Sequence, residues 1–204
     1  MIENIIFDFG DVFIDLDKKA PTEYFSRFDI HEIDDEMKQW NINYEMGQLS
    51  TNAFIEHYLH RFPRLNHISF STAWNSMIQY FPQQRLDWIK ELSKSRKYRL
   101  FLLSNTNDLH IEQVMKNMDK SRFIQFKSAF EGFYLSQDLK LRKPNPEIFE
   151  HVLKENGLKP QKTLFIDDVP ENTQVVEKLS MHTWNIKPGK EDITQLFSIK
   201  KELF

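Results

Sequence analysis

Four separate stretches of this chain carry side chains that could do chemistry together. Asp8 closes the short apolar run Ile5-Ile6-Phe7. Ser104-Asn105-Thr106-Asn107 ends a second run, Lys143-Pro144 precedes a helix signal, and Asp167-Asp168 ends a third run. Each has an ordinary explanation alone: an aspartate after a strand serves as a turn or cap residue, Ser-Asn-Thr-Asn opens a helix, and a lysine before proline is solvated. The couplet Asp167-Asp168 resists that treatment, because like charges repel unless a cation or protons lie between them. One arrangement would use all four stretches: a reactive carboxylate, a hydroxyl and an ammonium gathered with the acidic couplet around one bound cation.

The elements that must position these groups follow from the apolar pattern. Short apolar runs backed by turn residues mark buried parallel strands. They occur at Ile5–Phe7, Arg99–Ser104 and Lys162–Asp168, and more weakly at Thr183–Ile186 and Phe133–Leu135. Amphipathic helices lie between them. Asn145 stands where it can cap a helix that has Pro146 first and Glu147 in its first turn, with Ile148, Phe149, Val152 and Leu153 as its stripe and Gly157 at its end. Val175, Val176 and Leu179 form a similar stripe. Alternating strands and helices predict an α/β fold, a Rossmann-like parallel sheet covered on both faces. In such a sheet ligands collect at the carboxyl ends of the strands, where the four stretches lie.

Residues 18–84 break the alternation. Tyr24/Phe25/Phe28, Ile33/Met37/Trp40/Tyr44, Phe54/Ile55/Tyr58/Leu59/Phe62 and Phe70/Trp74/Met77 recur at helical spacing with no strand between them, and Ser50 or Thr51 can cap the third group. The chain therefore divides into a core of residues 1–17 plus 85–204 and a helical cap, 18–84, inserted after the first strand.

FDFGDVFIDLD, LLSNTNDLH, FYLSQDLKLRKPNPEIF and FIDDVPEN, in that order, resemble the haloacid dehalogenase superfamily over essentially the whole chain. More narrowly they are similar to bacterial α-D-glucose-1-phosphate phosphatases and to the phosphatase domain of soluble epoxide hydrolase. The resemblance implies the haloacid dehalogenase fold and a Mg²⁺-dependent phosphatase acting on a small phosphorylated metabolite, a sugar phosphate such as glucose-1-phosphate. Phosphoryl transfer suits such a site, since catalysis there is mainly positioning and charge neutralisation. Asp8 would attack phosphorus and form an aspartyl-phosphate. Asp8, Asp168 and the Gly10 carbonyl would hold Mg²⁺ directly, with Asp167 and Asn172 acting through water or by orienting those ligands. Ser104 and the Asn105 backbone N–H would bind the phosphate, and Lys143 would neutralise both nucleophile and phosphoryl group.

The sequence departs from the usual pattern at one place. Most of these phosphatases carry a second aspartate two positions after the nucleophile as general acid, and here that position is Gly10. The next residue, Asp11, is either a proton donor or only a stabiliser of the turn. A sugar 1-phosphate has a comparatively good leaving group and needs less acid assistance. Substrate selection falls to the cap, where Tyr44–Leu49 matches a loop that faces the site in related caps. Glu45 or Gln48 could bind sugar hydroxyls there, and Gly47 suits a tight turn.

Composition limits the alternatives. In 204 residues there is no cysteine, which excludes disulfides, zinc–thiolate sites and cysteine nucleophiles. A net charge of −3 supplies no basic surface for nucleic acid. No apolar run approaches the roughly 20 residues of a membrane span, and the N-terminus lacks a basic leader. The expectation is a cytoplasmic protein with no membrane role, and relatives of this kind are commonly monomers. The competing readings are a catalytically silent module that binds a phosphorylated metabolite, a haloacid dehalogenase, and a phosphomutase. A dehalogenase needs no metal and its members lack the adjacent aspartates. A mutase would need an acid or base from the cap.

Overall fold

In the computed structural model, which describes residues 1–204, five short strands form one parallel sheet. They are β1 (Asn4–Phe7), β2 (Arg99–Ser104), β3 (Gly132–Leu135), β4 (Thr163–Asp167) and β5 (His182–Asn185), in the spatial order β3-β2-β1-β4-β5. The central strands are apolar because they are covered on both faces. Their alternation sorts the side chains. Ile5, Phe7, Leu100, Leu102, Leu164 and Ile166 enter one core with Leu86 and Ile89 of α5 (Gln83–Ser95) and Phe126 of α7 (Lys120–Lys127). Ile6, Phe101, Leu103 and Phe165 enter the other, against Ile148, Phe149 and Val152 of α9 (Pro146–Glu155) and Val176 of α10 (Pro170–Lys178).

The sheet order creates the crevice that the site needs. β1 pairs with both β2 and β4, Phe7 lying level with Leu102 on one side and Ile166 on the other. From β1 the sheet continues through β2 to β3, and from β4 it continues to β5 on the far side. Connections that depart in opposite directions leave an opening between the carboxyl ends of β1 and β4. Asp8 and Asp167 are each one residue beyond the level pair Phe7 and Ile166, so the register sets them side by side.

Between β1 and α5 the chain forms four helices, α1 (Ala20–Phe25), α2 (Asp35–Glu45), α3 (Thr51–Arg61) and α4 (His67–Asn75). Three are capped by side chains accepting from backbone N–H groups: Asp34 from Met37, Ser50 from Ala53 and Asn66 from Ser69. Their apolar stripes meet in a cluster of Phe25, Met37, Tyr44, Phe54, Tyr58, Phe70 and Trp74. It is an aromatic stack, with the Tyr44 and Phe54 rings 4.2 Å apart and nearly parallel. Leu109 of α6 (Asp108–Met118), a helix that follows β2, is buried in the same cluster. The four helices therefore rest on the sheet unit through a shared apolar contact.

Some sequence expectations need adjustment. Of Ser50 and Thr51, Ser50 is the cap. Asn145 has the extended backbone of an N-cap residue, but its side chain makes no capping hydrogen bond. The third apolar run forms a strand only from Thr163, because Lys162 belongs to a short 3₁₀ turn that enters it. The fifth strand begins one residue earlier than its apolar pattern, at His182. Gly157 has φ +61°, the left-handed conformation that a helix exit commonly requires.

Candidate active site

Asp8 emerges from the middle strand, and Lys143 reaches it from the loop before α9. The Lys143 ammonium donates to Asp8 Oδ1 and to Asp167 Oδ2, each at 2.7 Å. Lys143 is 2% exposed and Asp167 is fully buried, so both charges depend on this pairing. Burial acts to lower the Lys143 pKa, but the two carboxylates outweigh it and hold the ammonium above its ordinary range. At Asp8 burial prevails instead. Burial and the neighbouring Asp167 carboxylate raise it against the pull of Lys143, to about 7.

Asp167 is occupied on every side. Its Oδ1 accepts from the Val169 N–H at 2.8 Å, while Oδ2 also accepts from Asn172 Nδ2 at 2.9 Å. Asp168 turns the other way, and its Oδ2 accepts from Lys18 Nζ at 2.7 Å. One carboxylate oxygen from each of Asp8, Asp167 and Asp168 can be chosen so that all lie within 4.8 Å of one another. Oxygen donors so grouped suit a small hard divalent cation. The backbone carbonyl of Gly10 accepts no hydrogen bond from within the chain and is a further oxygen donor beside Asp8.

Asp11 has φ +54° and closes the turn after Gly10. Its Oδ1 accepts from the Leu16 N–H at 3.0 Å and its Oδ2 lies 2.8 Å from Lys18 Nζ. Lys18 thus bridges Asp11 and Asp168 at the point where the chain leaves the sheet for the helices. At full ionisation four carboxylates (Asp8, Asp11, Asp167, Asp168) face two ammoniums (Lys18, Lys143), which leaves a charge of −2. One divalent cation balances it.

The end of β2 supplies the polar floor. Ser104 is buried, and its hydroxyl makes only a long 3.4 Å contact with the Asn105 carbonyl, so it remains available to a ligand. The Asn105 side chain has a different task. It donates to the Lys143 carbonyl at 2.8 Å and accepts from the Lys143 N–H at 2.9 Å. This reciprocal clamp fixes the loop that presents the Lys143 ammonium to Asp8.

Above this floor lies a cavity of about 250 Å³ walled by Gly10, Ser104, Asn105, Thr106 and His110 of the sheet unit, by Asn41, Glu45 and Trp74 of the helices, and by Met77 in the turn after α4. Glu45, the last residue of α2, receives the Arg142 guanidinium at 3.0 Å. Burial pushes the Glu45 carboxyl up, while Arg142 opposes the shift. Gln48 is exposed and takes no part in the wall, so of the two loop residues only Glu45 faces the cavity. Gly47 has φ +62°, and a Cβ there would lie 2.2 Å from the Gln137 carbonyl of α8 (Ser136–Leu139). The turn is pressed against the sheet unit, and only glycine fits.

The helices and the sheet unit also join through a buried polar knot. Asn107 Oδ1 accepts from Trp74 Nε1 at 3.3 Å and from the His110 N–H at 3.1 Å. Its Nδ2 must therefore donate to His110 Nδ1, 3.1 Å away, which leaves Nε2 to donate to the Trp74 carbonyl at 3.3 Å. Burial holds this imidazole neutral, with its pKa lowered to about 4.

The structure brings together Asp8, Gly10, Lys143, Asp167, Asp168 and Asn172, with Ser104 and Asn105 beside them. Sequence reasoning missed Lys18, Asn41, Arg142 and the Asn107–His110–Trp74 knot. Arg142 could have been found from its place beside Lys143 in the Arg-Lys-Pro string. Lys18 gives no such signal within its polar run.

Comparison with known proteins identifies the family. Residues 2–175 match the family model described as haloacid dehalogenase-like hydrolase. The chain is 30% identical over 197 residues to a D-ribitol-5-phosphate phosphatase of Bacteroides thetaiotaomicron, covering 94% of this chain and 95% of that protein. Among solved structures it is similar to a haloacid dehalogenase family enzyme of the same organism in complex with magnesium and inorganic phosphate. The TM-score is 0.82 at 32% identity, over 97% of this chain and 100% of the other. A haloacid dehalogenase-like hydrolase of Porphyromonas gingivalis also has a TM-score of 0.82, at 31% identity, over 100% of this chain and 98% of that one.

Proposed function

This chain belongs to the haloacid dehalogenase-like hydrolases and is a phosphoric monoester hydrolase; we propose that it uses Asp8 to remove phosphate from a small sugar or polyol phosphate, with Mg²⁺ as cofactor. The observation that carries this reading is the meeting of Asp8, Lys143, Asp167 and Asp168 at the crevice between β1 and β4.

Asp8 and Asp168 would hold the cation directly together with the Gly10 carbonyl, because Asp167 already spends both oxygens on Lys143, Asn172 and the Val169 N–H. The cation would offset the charge of nucleophile and phosphate, as the residual −2 of the cluster invites. Asp8 attacks phosphorus, the ester oxygen departs, and water then cleaves the aspartyl-phosphate. Lys143 neutralises Asp8 and the phosphoryl oxygens, and Ser104 donates its hydroxyl to them. Asp167 and Asn172 orient Lys143 and the cation site.

Asp11 is assigned to the turn, since its oxygens hold the Leu16 N–H and Lys18. With no acid two positions after Asp8, the chemistry favours an ester whose leaving oxygen needs little protonation, as in a sugar 1-phosphate such as glucose-1-phosphate. The relative named for D-ribitol 5-phosphate points to a primary polyol phosphate. We take the class common to both as the substrate: a small hydroxylated phosphate ester. Residues 18–84 act as the cap over this site, closing the cavity above Ser104 and Gly10 and excluding bulk water.

The test is hydrolysis of a panel of phosphate esters, including D-ribitol 5-phosphate, glucose-1-phosphate and p-nitrophenyl phosphate, with and without EDTA. Metal-dependent release of phosphate supports the reading. Binding of phosphate without turnover of any ester would return the chain to the silent-module alternative.

A further inference from the structure

The cavity over the floor has one charged wall residue. Of its lining only Glu45 carries a formal charge, because His110 is held neutral by its burial and donor–acceptor pattern. Glu45 is fixed from two sides, by the Gly47 turn seated on Gln137 and by Arg142 at 3.0 Å. A carboxylate has roughly four lone-pair positions. Arg142 occupies one of them through Nη2.

One turn earlier on α2, Asn41 lines the same cavity. Its Oδ1 accepts from the Tyr58 hydroxyl at 2.7 Å, which fixes the amide and leaves Nδ2 as the group free to donate. Residues four apart on a helix lie on one face. The wall therefore presents an amide donor beside a carboxylate acceptor. A hydroxyl both donates and accepts, so this couple matches adjacent hydroxyls on a carbon chain. Leu16, Trp74, Met77 and Val114 supply apolar surface for its C–H faces. The space of about 250 Å³ corresponds to about eight waters at roughly 30 Å³ each, enough for a short hydroxylated chain.

We propose that Asn41 and Glu45, with Glu45 held by Arg142, select an uncharged hydroxylated leaving group and reject one that carries its own carboxylate. An anionic leaving group would meet the Glu45 carboxylate with no free cation in the wall, since Arg142 is engaged by Glu45 and the Lys143 ammonium by Asp8 and Asp167. Like-charge juxtaposition of that kind is costly in a buried site. The inference rests on the phosphatase reading above. It narrows the substrate to neutral polyol or sugar phosphates and excludes phosphorylated acids.

The experiment compares kcat/KM for ribitol 5-phosphate and for ribonate 5-phosphate, which differs by a terminal carboxylate. The wild-type enzyme is expected to favour the polyol by on the order of a hundredfold. Glu45→Gln should bring that ratio down by about tenfold or more, by losing polyol turnover and gaining acid turnover. Asn41→Asp, which exchanges the amide donor for a second carboxylate on the same wall, should cost the acid more turnover than the polyol and so push the ratio up. A ratio cancels the fraction of folded protein, so a merely structural role for Glu45 would leave it unmoved. Equal wild-type turnover of the two esters, or a ratio unchanged in both variants, overturns the inference. No turnover of either ester or of p-nitrophenyl phosphate would instead overturn the phosphatase reading beneath it.

Discussion

Lys18 Nζ stands 2.7 Å from Asp168 Oδ2, joining the first residue of the helical stretch to the acidic couplet at the end of β4. The same ammonium holds Asp11, so it is one of only two cations set against four carboxylates. Replacing it by methionine raises the residual charge from −2 to −3. Lys18→Met is expected to bind Mg²⁺ several-fold more tightly by titration calorimetry. The effect stays modest because the lysine is half exposed and screened by solvent. Unchanged or weaker binding would show that Lys18 serves to orient Asp168.

Lys143 is the opposite case, a fully buried cation. Removing it as Lys143→Met leaves Asp8 and Asp167 facing each other without compensation. The loss of stability should be about 3–5 kcal/mol, as for other broken buried pairs. Urea unfolding with and without Mg²⁺ checks this. The cation should restore part of the loss, because it supplies positive charge to the same carboxylates, and turnover should stay abolished.

His110 gives the fold a pH dependence of known sign. Its pKa is lowered to about 4 from an ordinary 6.5, because burial strips solvent from the charged imidazolium and outweighs the hydrogen bond to the Trp74 carbonyl. The stability it contributes is complete above pH 6.5 and is lost as pH falls from there toward 4, roughly 3 kcal/mol in all. About 2 kcal/mol of this should vanish between about pH 7 and about pH 5. His110→Gln should show a correspondingly flatter profile in denaturant midpoints over that interval.

Gly47→Ala tests the seat of the turn that follows Glu45. The substitution forces a side chain into a left-handed backbone position and against the Gln137 carbonyl, so the turn must lift. Glu45 lies two residues away and should lose its place in the cavity wall. We expect kcat/KM for the phosphate ester to fall by about tenfold, mainly through KM, with far-ultraviolet circular dichroism unchanged.

Much of this was legible in the sequence because the relevant signals are local. Ile5-Ile6-Phe7-Asp8 announces a buried strand with a carboxylate at its end, and the register of parallel strands does the rest. The aromatic spacing from Tyr24 to Trp74 likewise announces helices that share a core. What the sequence concealed depends on long-range placement. Lys18 and Asp168 are 150 positions apart, and nothing in Asp17-Lys18-Lys19 separates that ammonium from a solvated one. Asn105 was read through its backbone N–H, whereas its side chain clamps Lys143. The helix of Asp108–Met118 was suggested only by its entry turn, and its role in burying Leu109 among the inserted aromatics needed coordinates.

The central claim is that Asp8 takes the phosphoryl group. Rapid acid quench of the enzyme during Mg²⁺-dependent turnover, followed by peptide mass spectrometry, tests it most directly. The account predicts covalent phosphate on the peptide containing Asp8 and none in Asp8→Asn, which should also be inactive. Undiminished turnover by Asp8→Asn, or phosphate carried on another residue, would contradict it.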